Sequence, residues 1–287
     1  MVDTAKVFVV LDPTCMEQAA LDWGEHIAEV YKRRRSVDAS MHVYCCINAD
    51  SVAPVPGSDP EHVRRATQAR VFAWLERLVA EPRAEGIEVE TEVEWNDNWR
   101  QAIVDAAIRE NSSIVVKNMT QHSRFVRMVR DTADWTLIRE CNCPVLLVKT
   151  GRPYKIEKVL VALKHRPDNE QYEQANEDLL ASARRMADDL GATMHAVAGY
   201  STEERPDRQR FADRCGLARN QITAANGAPE KVIADTAAEQ QSDLVILARV
   251  ARQDSPNLIG NTARKVIDVI DTEVLILPIR GGSQSSS

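Results

Sequence analysis

Short apolar runs rich in valine, isoleucine and leucine recur along the chain, each separated from the next by a longer stretch with helical spacing. In the first half they fall at 7–12, 41–47, 87–94, 113–117 and 144–149, and in the second at 158–163, 193–199, 220–224, 243–248 and 273–278. Continuous apolar runs between helices predict strands buried on both faces, hence a parallel sheet. Each half is expected to be a doubly wound five-stranded α/β domain.

The halves repeat each other. AKVFVVLDP (5–13) matches EKVLVALKH (157–165), and MHVYCCI (41–47) matches MHAVAGY (194–200) at nearly the same offset. Further on, WRQAIVDAAIRENSSIVVKN (99–118) matches PEKVIADTAAEQQSDLVILAR (229–249), and CPVLLVKTG (143–151) matches TEVLILPIR (272–280). The offset shortens along the repeat, so the second copy lacks part of the middle segment that the first carries at 49–86. The boundaries this predicts are 1–150 and 155–280, joined through Gly151 and Pro153, with a disordered tail at 281–287.

Composition narrows the function classes. A chain of 287 residues with 44% hydrophobic and 28% charged residues has enough apolar side chains for two ordinary cores. Its net charge is −7 and acidic residues outnumber basic ones in both halves, which argues against nucleic acid as a general partner. The basic run Lys32-Arg33-Arg34-Arg35 reads as a solvated helix end. No run approaches the ~18 apolar residues of a membrane helix, and the N-terminus has no signal-peptide layout, so a cytoplasmic protein is expected. The six cysteines (Cys15, Cys45, Cys46, Cys141, Cys143, Cys215) form neither a disulfide framework nor a two-pair metal site, although Cys141 and Cys143 could supply two ligands. Reduced thiols at element ends are expected.

Open parallel sheets bind ligands beyond the carboxyl ends of their strands. There the first copy has Asp12-Pro13, which reads equally as a ligand carboxylate or a turn opener. The second copy has Lys164 at that place, so the two halves cannot use the position alike. Asn226-Gly227-Ala228-Pro229 is a turn leading into a helix with proline near its first position. Trp95, Trp99 and Trp135 lie near strand ends or helix starts and could line a pocket or pack a core. His42 and His195, on equivalent strands, read as structural, and no metal site is expected. The P-loop, dinucleotide, nucleophile-elbow and zinc-protease signatures are all missing.

The tandem halves, the Asp12-Pro13 strand end, DWTLIRECNCPVLLVK (134–149) and LIGNTARKVIDVIDTEVLILP (258–278) resemble the universal stress protein family in its two-domain form. The resemblance implies adenine nucleotide alpha hydrolase-like domains packed as an intrachain pseudo-dimer, with final strands 144–149 and 273–278 edge to edge. It implies a role in stress physiology, not a defined reaction. Nucleotide-binding members follow their fourth strand with a glycine, two residues, a second glycine, nine residues, then glycine with serine or threonine. Those glycines let backbone N–H groups approach phosphates at a helix N-terminus. On this chain the two glycine positions hold Ala248 and Ala251. Arg252 to Ile259 then precede Gly260, Asn261 and Thr262.

The corresponding first-copy loop, 117–135, has no glycine; Asp131 or Thr132 is expected to cap the next helix, and His122, Arg124, Arg127 and Arg130 add positive charge. The candidate cleft is therefore Asp12, Gly227, Ala248, Gly260, Asn261 and Thr262, with Gly227 in the family's glycine-proline turn. The resulting expectation is a non-catalytic stress protein acting by binding, with weak or no ATP binding and no cofactor. The alternatives are an ATP or AMP sensor with slow hydrolysis, and a carrier of a small apolar ligand in the first copy's middle segment. Protein partners cannot be named, and a homodimer of tandem chains stays open.

Overall fold

The structure is a computed structural model, and it describes residues 4–35, 37–53, 56–119, 133–149, 151, 155–165, 170–200, 207–250 and 261–279. These divide into two compact units: one holds the residues up to Met119 together with 133–149 and Gly151, the other those from Lys155 onward. The expected tail at 281–287 lies outside the described residues.

The first unit runs β1 (Ala5–Val10), α1 (Ala19–Val30), β2 (Ala39–Asn48), α2 (Pro60–Leu78), α3 (Ala80–Ala84), β3 (Glu88–Asn96), α4 (Trp99–Arg109), β4 (Ile114–Asn118), α5 (Ala133–Glu140) and β5 (Val145–Val148). Its strands are parallel in the order β3-β2-β1-β4-β5. The second runs β6 (Lys158–Ala162), α6 (Glu170–Leu190), β7 (Thr193–Tyr200), α7 (Arg208–Cys215), β8 (Ile222–Asn226), α8 (Pro229–Gln240), β9 (Leu244–Val250), α9 (Asn261–Val269) and β10 (Glu273–Ile279). Its order, β8-β7-β6-β9-β10, is that of the first unit element for element. All ten apolar runs are strands.

The central strands are buried on both faces, as their unbroken apolar pattern requires. Val7, Phe8 and Val9 of β1, Val115 and Val116 of β4, Leu160 and Val161 of β6, and Val245 and Ile246 of β9 are fully buried. The edge strand β3 differs: Glu88, Glu90, Glu92 and Glu94 alternate with Val89, Thr91, Val93 and Trp95, because only one face of an edge strand needs a core partner. Close packing of α1 depends on Gly24, where a Cβ would lie 2.5 Å from Val9 Cγ2. The longer middle segment of the first copy forms α2 and α3, where the second copy has the eight-residue α7.

One expectation is adjusted. Cys45 and Cys46 do not sit at an element end: both lie inside β2, and Cys45 is fully buried. Cys15, Cys141 and Cys215 do lie in loops or at helix ends, and all six cysteines are free thiols. The basic run is a helix end as read, Tyr31–Arg35 closing α1 with a wider π turn and Lys32 donating to the Gly86 carbonyl.

Two positions in this packing are sensitive. Gly199 in β7 faces the start of α8 so closely that a Cβ would lie 2.7 Å from Pro229 Cα, a backbone atom that cannot rotate away. Gly199→Ala is expected to cost about 1–3 kcal/mol through overpacking, read as a lower thermal midpoint; an unchanged midpoint would show that α8 shifts freely.

On α1, burial first and then Asp22, Glu85, Glu81 and Glu29 push Glu25 up to about 7. The folded-state value is raised, so its contribution to stability is full below the ordinary carboxylate range and is lost as pH rises through about 7. Glu25→Gln is expected to raise the thermal midpoint at pH 8 and leave it unchanged at pH 4. The gain should be about 1 kcal/mol, because the side chain is only half-buried.

Candidate functional site

In each unit the strand order reverses direction between the first and fourth strands, which is where an open α/β sheet offers a crevice. In the first unit that point is flanked by the end of β1, leading to Asp12, and the end of β4, at Asn118. In the second it is flanked by the end of β6, leading to Lys164, and by β9. The pairings Val7↔Ile114 and Val159↔Leu244 put the two copies in one register, so Asn118 and Ala248 occupy equivalent places.

The first crevice is laced by its own side chains. Asp12 accepts from the Thr14 N–H at 2.8 Å and the Thr14 hydroxyl at 2.6 Å, an Asx turn in which the carboxylate shapes the loop. Gln18 donates to the carbonyls of Asp12 (2.7 Å) and Cys15 (2.9 Å). Asn118 is buried; its carboxamide oxygen accepts from the Ala20 N–H at 2.7 Å, and its NH2 donates to the Glu17 carbonyl at 3.0 Å. One of the first N–H groups of α1, a donor of the kind that holds phosphates at helix starts, is thus bonded to Asn118.

Beside Asn118 an ion pair is buried. Lys117 and Asp134, 6% and 5% exposed, meet at 2.8 Å between β4 and the first turn of α5, and the Lys117 ammonium also donates to the Asn118 carbonyl. Charges this deep persist only when paired. Cys15 lies near this charge, but burial, then the Asp12 carboxylate, push its thiol upward.

The second crevice is built differently. Asn176 of α6 tethers Lys164 through both backbone groups, accepting from its N–H at 3.0 Å and donating to its carbonyl at 2.7 Å. The Lys164 ammonium sits 4.1 Å over the Tyr172 ring. His165 lies against Tyr200 and Phe211. Ala248 is not in a loop: the ladder with β10 continues through Ala248↔Leu277, Arg249↔Pro278 and Val250↔Ile279. The expected end of this strand at 248 is corrected to Val250.

Of the other predicted cleft residues, Gly227 follows β8 with φ +149°, and its N–H donates to the Tyr200 carbonyl, so the turn itself requires glycine. Asn261 opens α9 and Thr262 is half-buried in its first turn. Gly260, Ala251, His122, Arg124, Arg127, Arg130, Asp131 and Thr132 lie outside the described residues. Asp12 belongs to one unit, and Gly227, Ala248, Asn261 and Thr262 to the other.

A second polar centre, like the Lys117–Asp134 pair, escaped sequence reasoning. His42, 5% exposed and stacked on Phe8, has Nε2 3.0 Å from Glu92 and Nδ1 3.4 Å from Glu90 and 3.6 Å from Glu110. Ligand atoms of His42, Glu92 and Glu110 lie within 4.8 Å of one another, a set with metal-binding chemistry. Lys6, however, donates to Glu110 at 2.8 Å and Arg109 to both Glu92 oxygens at 2.7 Å. The Lys6 hydrogen bond holds the Glu110 carboxyl below the usual range. The set is balanced as an ion network, and a divalent ion would have to displace both cations. Among the described residues no helix is long and apolar enough to cross a membrane.

Comparison with known proteins follows the same lines. The family profile described as "Universal stress protein family" matches residues 4–149. The chain is 26% identical to the Universal stress protein E homolog of Haemophilus influenzae, covering 94% of this chain and 96% of the relative. It is 25% identical to Universal stress protein E of Escherichia coli K12, covering 94% and 93%. A solved structure of a functionally unknown protein from Pseudomonas aeruginosa PAO1 superposes with a TM-score of 0.73 at 25% identity, covering 95% of this chain and 92% of that one.

The buried ion pair yields a direct test. Asp134→Ala, which strands Lys117 in the core, is expected to cost about 3–5 kcal/mol in urea unfolding, whereas Lys117→Leu with Asp134→Leu recovers most of it. Equal losses in the single and double variants would mean that the pair is not a coupled unit.

Proposed function

The chain belongs to the universal stress protein family, and from that premise we propose that its stress-response function is non-catalytic. It acts by binding, with ATP or AMP held weakly or not at all and with proteins as its partners. The observation that carries this reading is Asn118: where a nucleotide-binding loop needs bare backbone, this chain has a side chain bonded across to α1. In the second unit the equivalent Ala248 stays within the β9–β10 ladder, which supports the same reading. A net charge of −7 further disfavours a polyanionic partner.

A second reading, an ATP or AMP sensor, draws on the second unit alone. There α9 begins at Asn261, immediately after Gly260, and Lys164 places a cation at the end of β6. In it the cleft comprises Gly227, Ala248, Gly260, Asn261 and Thr262; Asp12 would serve the first unit.

Isothermal calorimetry of nucleotide-stripped protein with ATP, ADP and AMP in magnesium buffer separates the two. The expected result is binding weaker than about 100 μM, that is, less than ~5.5 kcal/mol. Micromolar binding lost in Thr262→Ala but kept in Asp12→Ala would establish the sensor in the second unit and overturn the reading proposed first.

A further inference from the structure

Cys141 and Cys143 flank Asn142 in the turn between α5 and β5, and their Sγ atoms lie 3.9 Å apart. The backbone on both sides is pinned: the Cys141 N–H donates to the Leu137 carbonyl and the Val115 N–H donates to the Pro144 carbonyl, each at 2.9 Å. Cys141 is buried, whereas Cys143 is half-exposed, so a small oxidant reaches Cys143 first. Disulfide formation would bring the sulfurs from 3.9 Å to ~2.05 Å, a closure of about 2 Å between atoms already in contact.

We propose that Cys141 and Cys143 form a reversible oxidation site, converted by a hydroperoxide into an intramolecular disulfide. With hydrogen peroxide, the Cys143 thiolate attacks one oxygen and the O–O bond breaks. The sulfur is oxidised to sulfenic acid, and the departing hydroxide takes up the thiol proton as water. Cys141 sulfur then attacks the sulfenic sulfur; its proton leaves with the displaced hydroxide as a second water, and the S–S bond forms. Two electrons pass from the thiol pair to the peroxide. A dithiol reductant reverses the bond by exchange.

The closed loop is too short to remove much entropy from the unfolded chain, so this bond suits a linkage made and broken more than a structural staple. The four thiols outside this pair are all raised by burial, Cys15 among them. Burial pushes Cys45 and Cys46 up to about 12 and Cys215 up to about 11, leaving each protonated at neutral pH.

The test is peptide mapping of the reduced full-length chain after stoichiometric hydrogen peroxide, acid quench, alkylation and trypsin. Peptide 140–149, ECNCPVLLVK, holds both cysteines. It is expected unalkylated and about 2 Da lighter than the dithiol form, with dithiothreitol restoring two alkylatable thiols. In Cys141→Ser the Cys143 sulfenic acid should persist long enough for dimedone to trap it; in Cys143→Ser the remaining Cys141 should stay reduced. Recovery of the wild-type peptide with both thiols alkylated overturns the proposal. So does Cys143 sulfinic acid beside an intact Cys141, or a linkage from either residue to Cys15, Cys45 or Cys46. Because the wild-type map needs no variant, a variant that failed to fold would leave the test decisive.

Discussion

Burial of the central strands on both faces is the constraint on which the rest of each unit depends. Where β1, β4, β6 and β9 run through the middle of a sheet, a polar side chain has no solvent to meet, so chemistry is driven to the strand ends or must carry its own counter-charge. Lys117 is the exception that obeys this rule. It breaks the apolar run of β4, and the fold accommodates it by presenting Asp134 from the first turn of α5 at 2.8 Å. The same pair fixes how α5 meets β4, next to the residue that closes the crevice.

At the equivalent places on the fourth strands, asparagine and alanine have different consequences. Asn118 reaches across to α1 and satisfies an N–H and a carbonyl there, drawing the β1–α1 loop onto β4. Ala248 reaches nowhere, and the strand simply continues beside β10 for two further residues. At the other side of each crevice Asp12 is folded into its own turn, while Lys164 is held by Asn176 and covers an aromatic ring. The two halves keep one backbone plan and differ in charge at the point where a ligand would sit.

Much of this was legible in the sequence, for a physical reason: strands buried on both faces must be written as unbroken apolar runs, and all ten runs were. Helix-spaced patterns between them made the parallel connection unavoidable. Legibility failed where partners come from register. His42 meets Glu90 because β2 pairs with β3 at that rung, and Glu110 because α4 returns to the same end of the sheet. Helix-spaced histidine pairs are visible in a sequence; such cross-strand sets are not. Lys117 carried a readable signal, a lysine inside IVVKN where the other copy has Leu247, with an aspartate at the head of the next helix. The strand end at Ala248 was misplaced because pairing with β10, not local propensity, decides where β9 stops.

The Asn118 linkage also bears on why the two crevices need not act alike. A loop tied by a buried carboxamide must break an Ala20 hydrogen bond and a Glu17 hydrogen bond before its backbone can turn toward an anion, and the buried Ala20 N–H and Asn118 carboxamide oxygen would then lose their partners. Nothing comparable holds Ala248, whose methyl makes no hydrogen bond. The β1–α1 loop of the first unit is thus held by polar bonds internal to the fold, whereas the backbone at Ala248 is held by strand pairing at a strand end, where backbone bonds open more readily than in the middle. The nucleotide alternative proposed above accordingly rests on the unit that carries Lys164 and Thr262, although Asp12 is the residue that the resemblance alone would single out.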